Sequence, residues 1–545
     1  MDSVDTVVIG SGAGGMACAV ALANAGERVL VLEQHYLPGG WCHSFSLEGY
    51  HFSPGVHYIG TVQPGGVMAE LYRGLGVSAD LEFLELNPDG FDHVRLGSFQ
   101  FDIPAGRDRY RDRLVTRFPR EADGIQRYFD SVDEMSRSLM KAAHASSWKD
   151  RLQMPWTMRH VLMDGLKPLS RYLDGFTKDP ELRSVLSIQA GDHGVAPSRA
   201  LTALHCAIVN HYFDGGFYPV GGAKAIPRAF IRRLRSKGGE IRLSSRVDRI
   251  LTEASGSGRR AVGVRLHDGT EIRAKNVVSN ADPAMTFQRL LPEAEVPASV
   301  KRHLARTKWS VASIGLFFAV DTDPRRFGLD SGNLWYSRTV DLERGYAISM
   351  RPDAAALDGV NSLFLTCTTL KDPTRPLPNG HHTLEAFVLI SWEPFERWMN
   401  SRTDDRPEAY EAFKQHLKAR MLALVEEAVP GLTRHVVFSE LGTPLTNEFY
   451  TAGHRGNMYG TEKTFSQMVL QPWPYKTAID GLFMCGASTT GHGVAGATMS
   501  GVGCAATVLG CSPRRLTREQ GPEMRVLDSE TLARQRYSDA GPEPK

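Results

Sequence analysis

The sequence predicts an α/β fold: one domain on a doubly wound parallel sheet, and a second, α+β domain carrying a mixed or antiparallel sheet. Three observations lead there. A complete strand–helix–strand unit opens the chain, glycine-punctuated blocks of similar character return near residues 215–251 and 481–510, and alternating apolar runs lie between them. The chain has 545 residues, 42% hydrophobic and 23% charged, enough for two or more cores. A formal net charge of +2 gives no electrostatic footprint for nucleic-acid binding. The seven cysteines form no CxxC pair and no zinc spacing, so free thiols in a reducing compartment and no metal site are expected. No apolar run reaches membrane-spanning length, and a strand pattern begins by Asp5. Neither a membrane span nor a signal peptide is expected, which makes the cytoplasm the expected location.

The N-terminal unit reads as an apolar strand from Thr6 to Ile9, a turn from Gly10 to Gly15, an Ala-rich helix to about Ala25, a Gly26 stop and a second strand ending at Glu33. Gly10 allows the tight turn, Gly12 lets backbone approach a pyrophosphate held by the helix N-terminus with Ala13 and Gly14, and Gly15 lets the helix pack closely on the sheet. Glu33 stands where a carboxylate accepts ribose hydroxyls and repels a 2'-phosphate. This is a Rossmann-type dinucleotide site. After Gln34 the chain runs into Gly39-Gly40-Trp41 and an aromatic-rich extended segment instead of a helix, which favours FAD over NAD.

With these motifs on the page, the chain resembles the flavoprotein superfamily of phytoene desaturases, carotenoid isomerases and retinol saturases, and more distantly the amine oxidases. "LEQH", Gly39-Gly40-x-Cys42-His43 and "GVHYIG" (residues 55–60) are most similar to the retinol saturase branch. Trp41 departs from it, standing where that branch often has a second cysteine. The likeness covers roughly residues 4–512. It implies that the helix after Gly221-Gly222 returns the chain to the nucleotide domain, that the residue matching Val247 meets the adenine through its backbone, and that "VVSNADP", with Asn280, closes the FAD domain.

"GHGVAG" (491–496) repeats the dinucleotide glycine pattern after a short strand from Leu482 to Cys485 and before a small-residue helix starting near Val494. A second nucleotide site needs a further strand ending in an acid or arginine, a role Arg514 and Arg515 leave open. The more economical reading is a flavin loop. Gly486, Gly493 and Val494 would bring backbone and a helix N-terminus to the ring edge that gains negative charge on reduction.

FAD-binding sequence thus falls at 1–75, 206–290 and 440–512, with 76–205 and 291–439 building the substrate domain. Strands are expected at 311–320, 345–350, 361–370 and 382–392. Residues 513–545 read as a polar, disordered tail. Residues 141–171, basic with Trp148, Met154, Trp156, Met158 and Leu162, read as a lid packed on its own domain or, second, as a peripheral contact with the inner face of a membrane.

No HExxH, G-x-S-x-G or P-loop competes, so the chemistry belongs to the flavin. The resemblance implies hydride transfer between flavin and a C=C bond of a long apolar isoprenoid or polyene, most like a saturase. A desaturase, a reduced-flavin isomerase, an amine oxidase on a hydrophobic amine and a non-catalytic flavin carrier remain alternatives. Proton-donor candidates are His57 and Tyr58, on a strand expected to reach the flavin, and His492 in the loop beside it. Tyr218 and Tyr459 are weaker pocket candidates. A quinone or a partner reductase is the expected electron partner.

Overall fold

The computed structural model describes residues 4–144, 148–256 and 258–537. Val4–Ile9, buried along its whole length, pairs in parallel with Val29–Leu32 on one side and Glu271–Ser279 on the other. Glu240–Arg242 and Leu482–Met484 extend the parallel sheet at its two ends. Residues 270–283 read as an alternating strand followed by a buried-type strand, but a single strand, Glu271–Ser279, forms. No turn residue interrupts it, so its alternating first half pairs antiparallel with Gly258–Leu266, and its fully buried end joins the parallel sheet.

Helix Ala13–Asn24 is apolar all round and buried along nearly its entire length. Its small side chains let Gly493–Leu509 approach closely. A Cβ on Gly501 would stand 2.1 Å from the Gly14 carbonyl oxygen and 2.9 Å from the Ala17 Cβ. The flavin-loop helix and the first helix are thereby locked together.

The second sheet runs in the order Val436–Gly442, Ala312–Val320, His382–Ile390, Ser362–Cys367, Asn333–Ser337, Asp92–Leu96 and Phe99–Ile103. It is mixed: Asn333–Ser337 is parallel to Asp92–Leu96, and the other pairs are antiparallel. Three expected strands form. The fourth, at 345–350, is a helix, Leu342–Ser349, because Asp341 caps it by accepting the Arg344 N–H.

Two further expectations need correction. The 55–60 segment is a loop with one bridge, Ile59 to Phe217, rather than a strand. It is held by close approach: a Cβ on Gly60 would meet the His211 carbonyl oxygen at 1.9 Å. The tail read as disordered is folded as far as residue 537. Arg525–Asp528 adds in parallel to Glu82–Glu85, while Ser529 donates to the Leu370 and Lys371 carbonyls, so partners distant in sequence order a segment too polar to order itself. That strand joins a different sheet from the Rossmann sheet, so no second nucleotide fold follows "GHGVAG". Residues 538–545 lie outside the described residues.

In the 141–171 segment, Trp148–Thr157 is helical and Val161–Gly165 forms a further turn. Met158 packs on the helical core, whereas Leu152, Trp156, Leu162 and Met163 are exposed. The Trp148 side chain lies outside the described residues. Among the described residues, no helix is long and apolar enough to cross a membrane.

Gly501→Ala should overpack the junction of the two helices and lower stability by about 1–3 kcal/mol, read as a shift in denaturation midpoint.

Candidate functional site

The larger cavity, about 330 Å³, is lined by Gly10, Gly12, Ala13, Gly14, Glu33, Gln34, Gly39, Gly40, Trp41, Val247, Asn280, Gly486, Gly493 and Val494. Gly15 stands behind it, buried. A Cβ there would meet the Gly10 carbonyl oxygen at 2.2 Å, so this glycine shapes the turn without touching the cavity. The walls fit a dinucleotide. Two helices, Ala13–Asn24 and Gly493–Leu509, begin at this cavity without a side-chain cap, leaving first-turn amides and their partial positive charge for an anion and an electron-rich edge. Glu33 is held in place: Oε2 accepts the Ser11 amide at 2.9 Å and the Ser11 hydroxyl at 2.6 Å, and Oε1 accepts the His35 amide at 2.9 Å. A carboxylate has about four lone-pair sites, so acceptors remain for ribose hydroxyls.

A second cavity, about 140 Å³, lies between the mixed sheet and the helical layer. Trp335, Leu363, Phe364 and Phe387 wall one side, and Ile188, Leu342 and Tyr346 the other. The helix that replaced the expected strand at 345–350 thus builds part of this wall. The two cavities share His57, Tyr58, Asp192, Met458 and Tyr459.

At this junction the His57 ring lies between Phe364 and Phe387, at centroid distances of 5.2 and 4.7 Å, with Nδ1 3.4 Å from Glu385. Burial holds it below the ordinary imidazole range, although the Glu385 carboxylate pulls the other way. Tyr58 stacks on Tyr212 at 4.3 Å and donates to Asp192 at 2.9 Å. Burial, then the nearby carboxylates, raise its phenol well above the usual value. Behind Tyr58, Asp92 accepts from Asn333 and Trp335, both at 3.0 Å, and Lys371 donates to Asn333 and to the His57 carbonyl. Burial pushes Lys371 down to about 7, against the pull of Glu385 and Asp92.

His492 does not line either cavity. Its ring lies 5.0 Å from that of Tyr459, and Nε2 donates to the Asp192 carbonyl at 2.9 Å. Burial pushes it down to about 3, which favours a neutral ring whose Nε2–H is directed at that carbonyl. Tyr459 is in the shared wall. Tyr218 instead faces a separate small pocket, beneath the Lys371 ammonium. Asp192, Asp92, Glu385 and Lys371 gave no signal in the sequence: they come from four separated segments, none with motif spacing. The one available cue was an acid between glycines in "AGDHG".

Gly14 tests the cradle directly. Its added Cβ would lie 2.7 Å from Asn280 Oδ1 and 2.9 Å from Gly486 backbone. Gly14→Ala should therefore fold but purify with a markedly reduced FAD-to-protein ratio, measured from flavin absorbance.

Comparison with known proteins fits this geometry. The sequence pattern of the family described as flavin containing amine oxidoreductase matches residues 13–509. The chain is 30% identical to the all-trans-retinol 13,14-reductase of Danio rerio, over 93% of this chain and 86% of that one. It is 29% identical to the chloroplastic prolycopene isomerase of Arabidopsis thaliana, over 92% and 82%. In backbone it resembles the crystal structure of an oxidoreductase from Methanosarcina mazei, with a TM-score of 0.60 and 19% identity, covering 93% of this chain and 100% of that one. The chain belongs to the flavin-containing amine oxidoreductase family, as an FAD-dependent oxidoreductase similar to its retinol saturase branch.

Proposed function

We propose that this protein saturates one C=C bond of a long apolar isoprenoid or polyene. The observation that carries the reading is the apolar cavity abutting the dinucleotide cavity through one shared wall. Reduced FAD, when bound, supplies a hydride, and the second hydrogen must arrive as a proton at the neighbouring carbon. The aromatic walls at Trp335, Phe364 and Phe387 exclude water and hold a flat, conjugated chain by contact with its faces. Ionisable groups occur where the cavities meet, which is where a proton is needed. The relative that is a retinol 13,14-reductase supports this direction of transfer, and the relative that is a prolycopene isomerase supports a polyene substrate. Electrons reach the flavin from a quinone or a partner reductase.

Leu152, Trp156, Leu162 and Met163 stand exposed on one segment, where Arg159 pairs with Glu134 and Lys167 with Asp164, and this apolar segment docks on a lipid surface, bringing the protein to a lipid-dissolved substrate. Wild type should co-sediment with anionic liposomes, and a Trp156→Ala/Leu162→Ser double variant should remain in the supernatant. Wild type left in the supernatant rejects the contact.

The reaction is tested anaerobically. Reduced protein is mixed with retinoids and carotenoids while flavin reoxidation and polyene absorbance are followed together. Reoxidation with loss of one conjugated double bond is expected. Flavin that stays reduced while cis and trans polyenes interconvert would mean an isomerase, and oxygen consumption with simple amines would mean an amine oxidase.

A further inference from the structure

Asp192 is the ionisable group at the junction that no motif announces. It sits on the short helix Ile188–His193 and lines both cavities. Its Oδ2 accepts the Tyr58 hydroxyl at 2.9 Å, and the same hydroxyl lies 3.4 Å from Asp92 Oδ2. Two carboxyl groups thus share one phenol, but their surroundings differ. Asp92 is fully buried and collects N–H donors from Asn333 and Trp335 at 3.0 Å and from Gln189 at 3.4 Å. Among the described residues, Tyr58 alone donates to the Asp192 carboxyl, whose other oxygen is left for the cavity. Negative charge therefore settles on Asp92, and the proton stays on Asp192.

We propose that Asp192 is the general acid of the C=C reduction, with Tyr58 and His492 as the residues that position it. This rests on the saturase reading above. In the step, the π bond is lost and two C–H bonds form. Reduced FAD, when bound, would supply both electrons with a hydride, and the Asp192 carboxyl would supply the proton. Asp192 is left as a carboxylate, stabilised by the Tyr58 hydroxyl, until it takes a proton back from solvent. His492 fixes the Asp192 backbone through its carbonyl and ties it to the first turn of the flavin-loop helix.

Asp192 titrates among other buried groups, of which Asp92, Lys371 and Lys463 also change charge near neutral pH. Burial, then the Asp92 charge, hold its carboxyl well above the usual carboxylate range. Burial pushes Asp92 up to about 6 against its three donors. Tyr58, Tyr212, Tyr346 and Tyr459 are raised by burial, and His57, His193 and His492 are lowered by it, so all seven stay neutral near pH 7. Lys371, pushed down to about 7, lies beyond Asn333, and Lys463, also pushed down to about 7 by burial, donates to the Ala487 carbonyl and acts on His193 and His492.

The test is a single turnover. Wild type, Asp192→Asn, Asp192→Glu and Tyr58→Phe holoproteins are reduced with dithionite and mixed with all-trans-retinol or lycopene, whichever the wild type reduces. Asp192→Asn should keep its FAD and bind the polyene within about twofold of wild type by tryptophan quenching, yet reoxidise about 10²–10⁴-fold more slowly. Asp192→Glu should recover part of the rate. The wild-type rate should fall as pH rises through the Asp192 pKa and show a solvent deuterium effect, and both should vanish in Asp192→Asn. Three results overturn the assignment: Asp192→Asn as fast as wild type, a falling limb that persists in Asp192→Asn and so belongs to another group such as Asp92, Lys371 or Lys463, or loss of rate in Tyr58→Phe with Asp192→Asn still active. A wild type that no polyene reoxidises rejects the saturase reading itself, and this proposal with it.

Discussion

Gly14 occupies a place where a methyl group has no room, between the Asn280 amide oxygen and the backbone of Gly486. Three segments separated by hundreds of residues meet within that contact: the first glycine turn, the end of the strand Glu271–Ser279, and the loop after Leu482–Met484. Protein interiors are close-packed, so such an approach is possible only where the side chain is a hydrogen atom. The remaining contacts of the cradle depend on it. Because the first helix and the flavin-loop helix touch through Gly14 and Gly501, their N-termini open on one cavity, and the loop carrying His492 is delivered to Asp192.

The junction of the cavities meets a second constraint: a site for an apolar chain that must also hold protons. Burying a charge without a partner is costly, and the buried groups here are arranged in pairs and chains. Glu385 accepts the Ser53 amide and faces His57, Lys371 donates to Asn333 and the His57 carbonyl, and Asn333 donates to Asp92. The chain is not complete: His57 Nδ1 and Glu385 Oε2, which face each other at 3.4 Å, have no hydrogen-bond partner among the described residues. A lone carboxyl in the same place would have only burial to set its protonation. Here the Asp92 charge adds to it.

Much of the dinucleotide cradle was legible because its physics is local. A tight turn, an uncapped helix start and a strand ending in an acid need particular residues at particular spacings, and Gly10 to Glu33 display them. The mixed sheet was legible in part, three of its seven strands being expected from apolar runs, but the helix Leu342–Ser349 was not: its apolar spacing suits a strand, and the Asp341 cap decided otherwise. The folded tail was hidden for the opposite reason. Arg525–Asp528 is ordered by a partner strand at Glu82–Glu85, and pairing at that distance leaves no mark on a polar segment.

By itself, the sequence determined the α/β class, the dinucleotide loop and the family likeness, because each is written in contiguous residues. Only the tertiary structure decided which ionisable groups face the reacting space. It bonded His492 to the Asp192 carbonyl and brought Asp192, Asp92, Glu385 and Lys371 together from four segments. The physical reason is that protonation and reach depend on burial and on neighbours across the fold, and these are fixed by packing rather than by spacing along the chain.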